Sequence, residues 1–444
     1  IPPMIPTFVL LLTATILAFQ VTLHAEGQPS SAATVAPPIT ATPAATVTPV
    51  PTASPSAYEV SPILNASVIL QPQNFRGPNF IVRNAVPTYF GSNRYTIDSD
   101  FGVFEADGNQ MLMRRVAEIN AIAELQAMSQ TTEFTQAAAQ AAEAPLSVAQ
   151  DLVNNPVPTI SSVPRGIWSF LNQAGEAVQQ VAEGHQSDAT NGSLVENVSG
   201  FSKTKRDLAI KLGVDPYSTN EVFQKELNKV AWAAFLGKFT VDLGMAAVGG
   251  PALSAVNWTS TLRDTLRDKS PAELRLINLD LLTSTMGVSR GTSDAFLDND
   301  AISPTTQTIL VAALAQLGNI PGQAELIRQA AACQDEHDAL AFQQSVQLMA
   351  NLNDTTPVTR ITHLNGLTVC QTRDGTVVVP IQWDYIAWTP MAERFITALK
   401  AQKFERPSSG YTVILTGVVS PLAAQAFAAR TVKVITKALP GPLQ

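Results

Sequence analysis

Cysteine and histidine are scarce in this chain: its 444 residues hold two cysteines, Cys333 and Cys370, and four histidines. Two thiols exclude a disulfide framework and leave room for one bridge. So few imidazoles limit the acid–base chemistry available at neutral pH. Charge is thin as well, at 14% of residues, and the balance is acidic, with 28 Lys and Arg against 36 Asp and Glu. No basic stretch interleaved with aromatics occurs, which argues against nucleic acid as a partner. The acidity argues against attraction to anionic lipid. Beyond the N-terminus no uncharged apolar run is long enough to span a bilayer. The nearest, Val230–Val256, is interrupted by Lys238 and Asp242.

What is present begins with an apolar run from Phe8 to Leu23, ending at Ala25, and a Pro/Thr/Ala/Ser/Val tract to about Ala57. The run is shorter than the ~20 residues that comfortably span a bilayer and reads as an export signal. Its basic n-region is missing, since Ile1-Pro2-Pro3 precedes it. Left uncleaved, the run becomes a short anchor, the one membrane attachment expected. The tract offers too little large apolar surface to offset chain entropy and reads as an extended spacer. Together they point to a periplasmic, envelope or secreted location.

The body is expected to be an α+β protein, predominantly α-helical. The expected organisation is a signal or anchor at 1–25, a spacer at 26–57, a small β-containing piece at 58–108, a helical core at 109–355 and a C-terminal α/β module at 356–444. Arg94–Ile97 and Phe101–Phe104 read as a hairpin around Asp98-Ser99-Asp100. Leu112, Val116, Ile119, Ile122 and Leu125 recur at helical spacing. Gly184–Gly200 reads as an exposed loop or hinge. Ser202 reads as a helix cap, with the helix stopping at Gly213. Ser218 with Glu221, and Ser270 with Glu273, have the spacing of capping boxes. Ser303-Pro304, Thr389-Pro390 and Ser420-Pro421 read as cap-then-proline starts. Asp335 and Glu336 favour a new helix start, Asp374-Gly375 a hairpin turn, and 411–436 a β-α-β unit.

In organisation, and in the segments Gly200-Phe201-Ser202-Lys203-Thr204-Lys205-Arg206, Leu212-Gly213-Val214-Asp215-Pro216-Tyr217-Ser218-Thr219-Asn220 and Leu415-Thr416-Gly417-Val418-Val419-Ser420-Pro421, the body resembles exported bacterial proteins of uncharacterised function. The resemblance implies export and no particular activity.

Several constellations carry chemistry on paper. Gly287-Val288-Ser289-Arg290-Gly291 matches the nucleophile-elbow pattern, but a helix rather than a strand precedes it, so helix–turn–helix is the better reading. Asp298-Asn299-Asp300 lacks the Gly and Glu of a calcium loop, having Ser303 and Ile309 there. Cys333, His337, His363 and Cys370 match the donor types of tetrahedral zinc but not a standard spacing. A Cys333–Cys370 disulfide, or two unlinked buried thiols, are the alternatives. Trp383, Asp384, Tyr385 and Trp388 form the densest aromatic cluster. They could bind carbohydrate, with Asp384 as general acid and Asp374 or Glu393 as its partner. Sealing of a strand-to-helix junction is the plainer account. Ile167–Val181 and Ala231–Val256 are apolar helices suited to a core or to membrane insertion.

The sequence therefore supports, first, an exported interaction or structural protein without catalysis, acting on an unknown protein or envelope component. The alternatives are a wall-polymer or carbohydrate hydrolase built on Asp384, and a membrane-active helical protein. No cofactor is expected.

Overall fold

A computed structural model describes residues 58–142, 189–237 and 259–444. The leader, the spacer, His185, the segment Ile167–Val181 and the part of Ala231–Val256 beyond residue 237 lie outside the described residues.

The described chain opens with β1 (Ile63–Asn65), α1 (Ala66–Ile69), α2 (Pro72–Phe75), β2 (Arg76–Gly77), β3 (Phe80–Val82), β4 (Ala85–Tyr89), β5 (Ser92–Ser99) and β6 (Gly102–Asp107). Then come α3 (Asn109–Ser129), α4 (Thr132–Ala142), α5 (Ala189–Lys211), α6 (Glu221–Gly237), α7 (Ser260–Asp268) and α8 (Pro271–Asp280). A π-helical turn at Leu281–Thr285 leads to α9 (Arg290–Leu297), α10 (Pro304–Ala315), α11 (Gln323–Ala330) and α12 (Glu336–Asn353). The chain finishes with β7 (Val358–Leu364), β8 (Leu367–Thr372), β9 (Thr376–Ile381), β10 (Tyr385–Ile386), α13 (Pro390–Ala401), β11 (Gly410–Leu415), β12 (Val418–Val419), α14 (Pro421–Ala429) and β13 (Val432–Ile435). The fold class is α+β with helix predominant.

In the first sheet β5 is the organising strand. It pairs with β6 along most of its length, and on its other edge with β4 near its start and β3 near its end. Its inward residues alternate, with Asn93, Tyr95 and Ile97 buried, as the two-residue period of a strand requires. Tyr95 and Ile97 pack on Leu112, Val116 and Ile119 of α3. The opposite side of α3 joins Phe223, Leu227 and Val230 of α6 in a helical core. α3 is thus shared by sheet and bundle, which explains why apolar residues cover more than one of its faces.

The C-terminal sheet has the order β13-β11-β9-β8-β7, antiparallel from β7 to β9 and parallel from β9 through β11 to β13. Both faces are covered. Val378, Cys370 and Ile414 face a core shared with Val346 and Met349 of α12. Val377, Val379, Val413 and Leu415 face Ile396 and Leu399 of α13 and Phe427 of α14. A run of five apolar residues in β9 is what a strand buried on both faces requires.

Local signals hold at several helix starts. Ser270 and Glu273 form a reciprocal capping box at α8. Ser303, Asp335, Thr389 and Ser420 each accept a backbone amide at the start of α10, α12, α13 and α14. Three expectations are corrected. Residues 189–200 are helical, and α5 runs through Ser202, which is therefore interior and not a cap. The helix does stop at Gly213, whose φ is 73°. The cap of α6 is Asn220, whose Oδ1 accepts from Val222 N at 3.1 Å and Phe223 N at 3.2 Å. Ser218 is turned away because its hydroxyl donates to the buried Glu118.

Candidate functional site

β4 and β5 are joined by the two-residue turn Phe90–Gly91, with Tyr89 opposite Ser92. Both central residues have positive φ, 46° and 85°, as a type I′ turn requires. Glycine adopts this region freely. A phenylalanine there costs roughly 1–2 kcal/mol because its Cβ crowds the following carbonyl. The ring gains little burial in return: Phe90 is 63% exposed and Tyr89 55%. The two rings meet edge to face, with centroids 4.4 Å apart and planes at 75°. Arg94 lies over the Tyr89 ring at 4.9 Å and pairs with Asp107 at 3.1 Å.

The strained turn is clamped from the far end of the chain. The Gly91 carbonyl accepts two amides, Asp384 N at 2.8 Å and Tyr385 N at 3.1 Å. The indole of Trp383 lies flush against Gly91, so a Cβ there would sit 2.7 Å from the ring. The Asp384 carboxylate accepts Asn93 N at 2.8 Å through Oδ2 and Asn109 N at 3.1 Å through Oδ1. Asn109 is the first residue of α3, whose preceding residue, Gly108, has no side chain to cap it. Asp384 supplies that cap. Gly417 passes so close that a Cβ on it would lie 2.0 Å from the Asp384 carbonyl oxygen. Burial pushes the Asp384 carboxyl up to about 7, against the pull of the two amide donors. Beneath the turn, Tyr95 donates to Asn109 Oδ1 at 2.6 Å and accepts from Asn93 Nδ2 at 3.0 Å.

Ser92 Oγ lies 3.2 Å from His337 Nε2. This is nucleophile–base geometry, but the neighbouring amides of Asn93 and Asn109 are already given to Asp384 and are not free to stabilise an oxyanion. His337 also gathers with Asp335 and Asp338, the ligand atoms lying within 4.8 Å of one another. Asp335 is spent capping α12, and the positive end of a helix disfavours a cation there.

The sequence-predicted sites come apart. Asp384 is 1% exposed and Trp388 3%, so neither meets a glycan. Trp388 is packed edge-on against Phe427 with Arg430 over its face. Trp383 and Tyr385 are half-buried. Asp374 is held in its own hairpin turn by Thr372 and Thr376, and Glu393 is taken by Tyr58 and Arg430. No pair of these carboxyls faces an open cleft. The zinc set does not assemble: among the described residues the sole convergent group of three or more metal-binding side chains is the Asp335, His337, Asp338 set. His337 turns to Ser92, and His363 stands beside Glu325 and Arg328. Cys333 and Cys370 are buried free thiols, so of the alternatives the unlinked buried pair is the one found and the disulfide is not formed. Burial pushes both to about 12, where the thiolate needed for zinc is disfavoured. Ser289 caps α9 in a helix–turn–helix.

Sequence reasoning missed a second polar cluster. Arg114 pairs with Glu336 at 3.0 Å and Arg115 with Glu118 at 2.7 Å. Glu118 accepts from Ser218 and Asn220, Glu336 from Thr219, and Asp215 from Thr305. The cluster fastens the loop between α5 and α6 to α3, α10 and α12. Burial raises the Asp215 carboxyl despite Arg114 beside it. Among the described residues no helix is long and apolar enough to cross a membrane.

No family model, no curated protein and no solved structure matches this chain.

Proposed function

We propose that this is an exported interaction protein whose contact surface is the Tyr89–Phe90 hairpin tip, and that its partner is a protein with an apolar pocket. The carrying observation is the exposed Phe90 ring, kept in a backbone conformation that disfavours phenylalanine. Strain of this kind persists where surrounding structure over-determines it, and it gathers at functional positions. Two rings set edge to face make a wedge, not a flat platform, so they suit a pocket better than the face of a sugar. Tyr, Phe and a neighbouring Arg are residue types enriched in the core of protein interfaces. The leader and spacer support placing this contact outside the cytosol.

The test is a photo-crosslinking phenylalanine analogue at position 90, irradiated in the presence of envelope proteins. One discrete adduct is expected. Tyr89→Ser combined with Phe90→Asn should weaken binding of the recovered partner roughly thirtyfold or more, the loss of a hot spot of about 2 kcal/mol. Recovery of no adduct, or a partner bound equally well by the double variant, ends the proposal.

A further inference from the structure

A separate surface lies between α5 and α7. Lys203 approaches Asp268 at 3.9 Å, and Arg206 Nε donates to the Arg267 carbonyl at 3.1 Å. This order of contacts sets the helices antiparallel and brings Lys211, at the end of α5, beside Arg263, in the first turn of α7. Between the helices is an open cleft of about 590 Å³ lined by Lys203, Lys211, Arg263, Arg267, Asp207 and Asp268. In a chain of net charge −8, four cations against two carboxylates is a local inversion.

The ion pairs are not evenly spread. Lys203 is engaged by Asp207 at 3.0 Å. Arg267 is engaged by Asp264 at 3.0 Å and Asp268 at 2.9 Å. Among the described residues, Lys211 and Arg263 line the cleft and have no acceptor. Two cations without acceptors on the wall of one cleft attract an anion by their summed charge. The start of α7 lies at the same end of the cleft, and the positive pole of a helix adds to the attraction. A cleft of this size exceeds one oxyanion and suits a small molecule with several anionic groups.

We propose that the α5–α7 cleft binds a multiply charged, phosphate-bearing ligand, held by the Arg263 fork and Lys211. Arg263 would take two oxygens of one phosphate group through its planar donors, and Lys211 would act as a point charge beside it. This site is independent of the hairpin contact.

The test is calorimetric titration of the full chain with sodium tripolyphosphate at low ionic strength. One saturable site is expected, weakening as salt is added. Arg263→Gln and Lys211→Gln should each weaken it roughly tenfold. Lys211 is exposed, so its variant reads the site even if Arg263→Gln impairs folding. Phe90→Asn should bind tripolyphosphate like the parent, which separates failure here from failure of the hairpin reading. Absence of binding, binding unchanged in both Gln variants, or citrate bound as tightly as tripolyphosphate would overturn the proposal.

Discussion

The molecule contains the same tight turn twice, built with different chemistry. Phe90–Gly91 joins β4 to β5 with φ values of 46° and 85°, and Asn365–Gly366 joins β7 to β8 with 48° and 86°. Each is a two-residue loop flanked by facing strand residues, Tyr89 with Ser92 and Leu364 with Leu367. Asn-Gly is the pair that such a turn favours, because asparagine tolerates the left-handed region. Phe-Gly is not. Their surroundings differ in the same sense. A Cβ on Gly366 would meet nothing within 4 Å, whereas one on Gly91 would strike the Trp383 ring. The Asn365–Gly366 turn forms because its sequence favours it. The Phe90–Gly91 turn is held by Trp383, Asp384 and Tyr385, and it keeps an aromatic ring in solvent.

The sharpest way to test this contrast is the clamp. Asp384 keeps its proton to about 7 in the folded chain, against 3.8 for the unconstrained carboxyl. Between those values the unfolded chain has released a proton that the folded chain still holds. The stabilisation is therefore complete below the unfolded value and is lost as pH rises through about 7, by about 4 kcal/mol at most. Denaturant titrations of parent and Asp384→Asn should show this slope in the parent alone. Equal slopes would remove Asp384 as the titrating group.

Next in size is Asp384→Ala, which leaves the buried amides of Asn93 and Asn109 without an acceptor. It should cost about 2–4 kcal/mol. Amide exchange should accelerate at Asn93 and Asn109 and remain unchanged around Asn365. Loss of protection at both turns alike would break the comparison.

Replacing the glycines separates clamp from conformation. Gly366→Ala should cost about 1 kcal/mol, for its backbone alone. Gly91→Ala carries the same backbone cost plus the collision with Trp383, so it should cost about 2 kcal/mol or more. Equal shifts of the unfolding midpoint would mean that Trp383 yields freely.

The smallest effects come from exchanging the turn residues. Phe90→Asn should raise stability by about 1 kcal/mol while weakening binding of the recovered partner, and Asn365→Phe should lower stability by about the same amount. A destabilised Phe90→Asn would show that the ring is there for folding, and the interaction reading would lose its main support.

Much of the fold is legible locally. Asp374-Gly375 marks its hairpin, Ser270 with Glu273 marks α8, and Asp335 marks the start of α12. These hydrogen bonds close within a few residues, so composition and spacing encode them. The failures are equally specific. Ser202 carries the cap chemistry but sits inside α5, because the helix continues upstream. Ser218 had the right spacing, but Glu118, 100 residues away, claims its hydroxyl and Asn220 takes the cap. Phe90–Gly91 gave no readable signal beyond one glycine, since phenylalanine is not a turn residue.

The sequence by itself determined the secondary-structure periods, several helix starts, the α+β class and the small supply of chemistry-bearing side chains. Only the tertiary structure decided what Asp384 is. Its amide partners lie 291 and 275 residues away, and no local pattern predicts a carboxylate that caps a helix from the other end of the chain. Local hydrogen bonding and hydrophobic period act over a turn or a strand, whereas burial and charge are set by whichever segments packing brings together.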